Sequence, residues 1–161
     1  MVTVKRGRDD PGLRQLSLFL HNKVGELADM LRHLEAETVR VHAISIMDSV
    51  DHAVVRLVVD KTDKARQLFI ESGTPLAEGL VLGVRLPDTR SGLLELSRAL
   101  IGAEINIHYI YSMMARPGGG SAVVVHVDDM ATAVEAITQR GFDLVFESDL
   151  QPGLEDPGPR F

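Results

Sequence analysis

Apolar and polar residues alternate from Leu13 to His21, with Leu16, Leu18 and Leu20 on one side and Ser17, Phe19 and His21 on the other. That alternation predicts a half-buried strand. His21-Asn22-Lys23-Val24-Gly25 breaks it, and Leu27, Met30, Leu31 and Leu34 then recur at helical spacing. Alternation resumes at Val39 and gives a second strand. Asp48-Ser49-Val50-Asp51 is a turn, and Ala53 to Val59 is a β-branched third strand that pairs with the second. A helix starts near Asp60-Lys61-Thr62-Asp63, buries Ala65, Leu68 and Phe69, and is stopped by Ser72-Gly73. Thr74 to Leu86 is one long extended stretch. Its first part closes this unit as a fourth strand, and its second part opens another.

The second unit copies the first. Leu16 to Met47 returns as Leu82 to Met113, and the copies share Leu20/Leu86, Leu27/Leu93, Leu34/Leu100, His42/His108, Ile44/Ile110 and Met47/Met113. An internal repeat of this kind marks a repeated structural unit. Its elements are a strand at Leu82 to Leu86, a loop at Pro87 to Ser91, a helix from Gly92 or Leu93, and a strand from Ile105 to about Met113. A loop at Arg116 to Gly120 leads to a strand at Ala122 to Val127. A helix at Met130 to Gln139 and a last strand at Asp143 to Glu147 complete the unit.

Each unit reads β-α-β-β-α-β, which right-handed crossovers turn into a ferredoxin-like sandwich. The expected fold is α+β: two antiparallel four-stranded sheets, each under two helices. The units span 13–79 and 80–150, with 1–12 and 151–161 as flexible termini. Leu16, Leu18, Val39, Val41, Val55, Leu57 and Val59 should face the helices, as should Leu82, Val84, Ile105, Ile107, Val123, Val125 and Val127 in the second unit. The opposite face of unit one carries Ser17, Phe19, Arg40, His42, Ile44, Val54, Arg56 and Val58. It is too apolar for plain solvent surface, so it is expected to pack on the other unit or on a second chain.

Composition narrows the function. In 161 residues there are no cysteines, which excludes disulfides and thiolate chemistry. The net charge of −6 argues against a nucleic-acid partner. No apolar run is long enough to span a membrane, so a cytoplasmic location is expected. The six histidines form no metal-like local cluster. No cofactor motif and no nucleophile–base arrangement appears, which points away from an enzyme.

Asn22-Lys23-Val24-Gly25-x-Leu27 resembles the Asn-Lys/Arg-Pro-Gly-x-Leu motif of ACT domains. Ala103-Glu104-Ile105-Asn106-Ile107 resembles their Ala-x-Gly-Ile-Asn-Ile motif at the second strand. The order of elements from Leu13 to Leu150 looks like the tandem ACT proteins, small chains of two ACT domains. The resemblance implies a non-catalytic regulatory or sensor role, with an amino acid bound where two ACT units meet. The loop after the first strand and the second strand of a neighbouring unit would hold it. It also implies a likeness to chains that act as homodimers and control a metabolic enzyme.

Chemistry supports this placement. A helix N-terminus offers unpaired N–H groups and a positive dipole end to a carboxylate. Gly25 lets a ligand approach the backbone, and the amides of Asn22 and Asn106 both donate and accept. The expected site is Asn22, Lys23, Val24, Gly25, Glu26 and Leu27, completed by Asn106 and His108. The reciprocal, weaker site would use Asp88, Arg90, Ser91, Gly92 and Leu93 with Arg40. Each residue also has a structural reading: Asn22 and Asp88 as helix caps, Gly25 as a turn glycine, Asn106 as a loop bridge, and the paired histidines as packing. The competing function is an interaction module that regulates a partner enzyme through its sheet, with vestigial ligand sites. An RNA-binding sheet would need several stacked aromatics, and only Phe19 is placed for that in unit one.

Overall fold

The computed structural model of the chain describes residues 11–21, 23–114 and 120–151. Twelve elements succeed one another: β1 (Gly12–His21), α1 (Glu26–Ala36), β2 (Val41–Asp48), β3 (His52–Val59), α2 (Thr62–Glu71), β4 (Leu76–Leu86), α3 (Gly92–Gly102), β5 (Ile107–Ser112), β6 (Ser121–Val127), α4 (Met130–Gln139), β7 (Leu144–Val145) and α5 (Glu147–Leu150). Residues 1–10, 22, 115–119 and 152–161 lie outside the described residues, and with them Asn22 and most of the expected flexible termini and Arg116 to Gly120 loop. Gly12, expected in the flexible N-terminus, instead pairs with Leu82 at the start of β1.

The two four-stranded sheets are fused. The order is β2-β3-β1-β4-β6-β5 with β7 beside β4, seven strands in all. The long strand β4 belongs to both halves. Its residues 76–82 pair antiparallel with β1, and Leu82 to Leu86 pair with β6 on the other edge. Past the first residue of β1, Gly83 and Val84 pair with β7. Each half therefore has the expected strand arrangement, with one strand in common.

This layout produces three cores. Leu16, Leu18, Val39, Val55, Leu57 and Val59 pack under α1 and α2 with Met30, Leu34, Ala65 and Phe69. Leu82, Val84, Ile105, Val123, Val125 and Val127 pack under α3 and α4 with Leu96, Leu100, Ala133 and Ile137. Every strand residue expected on the helix side is there, Val41 and Ile107 being only partly buried. The third core lies between the halves, where Leu13, Ala43 and Val58 meet Val81, Met113, Val124 and Val145. The apolar open face thus packs on the other unit of the same chain. Phe19, at its rim, stays 42% exposed.

Two expectations need correction. Ile44 sits on the helix side, against the first core, while Ala43 faces the junction. The cause is a β-bulge between Val41 and Ala43, which adds one residue and reverses the facing of the rest of the strand. Strand β5 carries its bulge between Ile107 and Tyr109, the same position of the repeat. The last strand is only Leu144–Val145, and Glu147 to Leu150 form the turn α5. Asp149 closes that turn by accepting the Phe146 N–H at 2.8 Å. The outer strands β2 and β5 also touch, through a bridge at Ala43 and Met113 and a bond from the Met114 N–H to the His42 carbonyl at 2.6 Å.

Candidate functional site

Strand β1 ends at His21, opposite His52 at the head of β3. The chain then turns into α1 through a stepped set of bonds: Lys23 N–H to the His21 carbonyl at 2.8 Å, Glu26 N–H to Lys23 at 3.3 Å, and Asp29 N–H to Gly25 at 2.9 Å. Gly25 is the N-cap, with φ of 90°, and among the described residues no side chain caps the helix. That left-handed backbone favours glycine.

The turn leaves a hollow of about 300 Å³ between the start of α1 and the far ends of β2 and β3. Leu20, Leu27, Ile46 and Val55 supply apolar wall; Lys23 and Glu26 supply charge. Oε2 of Glu26 is buried and has no hydrogen-bond partner. Lys23 forms no ion pair with Glu26 or with any other described residue. Val24 is fully exposed at the tip. The hollow thus offers an unpaired cation and an unpaired carboxylate oxygen over an apolar floor.

The remaining expected residues lie elsewhere. Asn106 precedes β5, where its N–H donates to Asp128 Oδ1 at 3.2 Å and its carbonyl accepts the Asp128 N–H at 3.3 Å. Arg40 precedes β2 in the same clasp, with Asp60 at 2.9 and 3.1 Å. His108 is exposed, its ring 5.1 Å from that of His126. None of the three lines the hollow. Within one chain, the loop gathers Lys23, Glu26 and Leu27 with β2 and β3, not with β5.

The second loop repeats the stepped bonds: Thr89 N–H to Pro87 at 2.8 Å, Gly92 N–H to Thr89 at 3.4 Å, and Glu95 N–H to Ser91 at 2.8 Å. Its chemistry differs. Gly92 is buried, and a Cβ there would meet the Pro87 carbonyl at 3.0 Å. Ser91 Oγ donates to Glu95 at 2.6 Å. Asp88, Arg90 and Leu93 are exposed. A second hollow of about 300 Å³ near this loop lies between Pro87, Glu95, Arg140 and Asp143. It opens on the α4–β7 side and is lined by none of Asp88, Arg90, Ser91, Gly92, Leu93 and Arg40.

A family model described as an ACT domain pair matches residues 12–153. The chain belongs to that family. Among solved structures, the protein BT0572 of Bacteroides thetaiotaomicron is 27% identical, with a TM-score of 0.80 over 87% of this chain and 96% of that one. The ligand-free regulatory subunit of aspartate kinase from Thermus thermophilus is 16% identical, with a TM-score of 0.58 over 82% and 94% of the two chains. Its counterpart from Thermus flavus is 15% identical, with a TM-score of 0.55 over 81% and 94%. The two kinase subunits share the fold. No curated protein sequence matches the chain.

The junction of this ACT pair holds a polar network that the pattern of residues alone does not identify. Gln15, only 3% exposed, donates to the Tyr109 hydroxyl at 2.7 Å and accepts from that of Tyr111 at 2.6 Å. Tyr109 lies under the Arg56 guanidinium at 4.1 Å and stacks on His126 at 4.8 Å. Gln15 and Arg56 come from the first ACT unit, the tyrosines and His126 from the second. Burial pushes the Tyr111 phenol far above its usual pKa. Burial lowers that of His126, with the charges of His108 and Arg56 acting in the same direction. The polar residues within the alternation are a signal, but only the packing of the halves shows which of them meet. Among the described residues, no group of three or more His, Asp or Glu is arranged to hold a metal ion, and no helix is long and apolar enough to cross a membrane.

Proposed function

We propose that this ACT pair is a non-catalytic regulatory protein that binds an amino acid in the β1–α1 hollow. The observation that carries the reading is the Lys23 ammonium and the buried Glu26 oxygen, both without a partner among the described residues, flanking the start of α1. An α-amino acid has one group for each: its carboxylate suits Lys23 and the α1 N-terminus, its ammonium suits Glu26. At the matching positions the second loop has Thr89 and Gly92, which carry no charge. Each chain then has one competent site.

Asn106 and His108 of a second copy complete the site in a homodimer, and the ligand favours the assembled state by mass action. A change in assembly is then what a partner metabolic enzyme reads, a role that matches the naming of the aspartate kinase regulatory subunits among chains of this fold. Calorimetry of the whole chain against the twenty amino acids tests the binding. At least one should bind, and Glu26→Gln and Lys23→Gln should each weaken it about tenfold or more. Sedimentation with that amino acid should show the dimer strengthened. No heat with any amino acid overturns the reading.

A further inference from the structure

The apolar part of the same hollow carries information about the ligand's side chain. Lys23 and Glu26 answer the two charged groups common to all amino acids, so discrimination falls to the rest of the wall. Besides His21, Asp48 and the small Ala53, that wall is Leu20 and Leu27 from the β1–α1 segment and Ile46 and Val55 from β2 and β3. Ile46 is 50% exposed in the free chain although it sits beside a packed core. Covering such a surface with aliphatic carbon is favourable, in proportion to the apolar area removed from water. Burying an ionised side chain there would cost its hydration. The one further carboxylate of the lining, Asp48, already has an interaction within the protein. The size of the hollow, about 300 Å³, is at the lower end for small-molecule sites and suits one compact ligand.

We infer that the effector is a branched aliphatic amino acid of the leucine, isoleucine or valine class, its side chain packed between Leu27 and Ile46. This rests on the amino-acid reading above and adds to it which amino acids are selected. Binding has two parts, a charge clamp indifferent to side chain and an apolar wall that reads it.

The two parts come apart in titration of the full chain with leucine, isoleucine, valine, alanine, threonine, aspartate and lysine. Leucine or isoleucine should bind at least about tenfold tighter than alanine, and valine tighter than its hydroxyl-bearing isostere threonine. Ile46→Ser changes a half-exposed strand residue and should leave the fold intact. It should erase most of the leucine advantage while leaving the alanine affinity unchanged. In Glu26→Gln, leucine should be weakened while 4-methylpentanoate, which lacks the ammonium, keeps its affinity. Tightest binding by aspartate or lysine, or equal loss of leucine and alanine in Ile46→Ser, overturns the side-chain assignment and leaves the amino-acid reading standing. Absence of binding by all seven and by the remaining amino acids overturns both.

Discussion

His42 and His108 occupy one position of the two bulged strands, yet they live in different surroundings. His42 is 5% exposed, and neither ring nitrogen has a hydrogen-bond partner. Its carbonyl accepts the Met114 N–H, and next to it Gln151 donates to the Asp60 carbonyl at 2.8 Å. His108, without an α5 over it, is exposed. Burial holds the His42 imidazole below its ordinary pKa; Asp60 and the backbone of Leu150 in α5 oppose that shift and Arg40 reinforces it. A histidine depressed in the folded state gains its proton more readily on unfolding. Its neutral form then supports the fold above the unfolded pKa, and that support is lost as pH falls. The urea midpoint should drop as pH is lowered through about 6.5, the ordinary imidazole value. His42→Leu should remove its share of that slope, leaving the share due to His126. A midpoint independent of pH in the wild type would contradict this. The repeat makes the histidine pair visible in the sequence. Which copy is buried is not visible there, because that depends on where α5 packs.

At the scale of elements, periodicity locates eleven of the twelve segments, and it fails where backbone geometry breaks the period. The bulge at His42 turns Ile44 to the helix side, and only pairing with β3 reveals it. The turn α5 has four residues, too few for a helical pattern to register. The floor of the β1–α1 hollow is hidden in the sequence as well. Ile46 and Val55 read as parts of a hairpin, and they join the loop only because β1 pairs with β3 up to His21 and His52. Lys23, Glu26 and Leu27 are legible, since their chemistry lies within one local segment. Strand β4 gives a direct test of the packing. A Cβ on Gly83 would lie 2.7 Å from Leu13 Cδ1 and 2.8 Å from Val145 Cβ. On the same strand, a Cβ on Gly79 would meet nothing within 4 Å. Gly83→Ala should therefore cost about 1–3 kcal/mol of unfolding free energy. Gly79→Ala should be neutral or slightly stabilising, within about 0.5 kcal/mol. Urea titration of both variants checks the contrast.

Over the whole molecule, the halves are joined by more than a linker. Their open faces form the third core, Gln15 ties to two tyrosines across it, and Arg14 reaches Asp63 at 2.7 Å and Glu147 at 3.0 Å, spanning α2 and α5. Unfolding should thus be a single transition, with calorimetric and van't Hoff enthalpies in agreement. Two separated transitions would show that the halves melt independently. Repetition in the sequence implies two domains side by side; their fusion is hidden, since a long extended stretch reads alike whether it bends into two strands or runs straight. The straight strand has a consequence for how the chain can be divided. Leu82 stands in both ladders, facing Gly12 on one edge and Val125 on the other. No cut through β4 yields two complete units, so neither half can be exchanged, lost or expressed alone without taking a strand from the other.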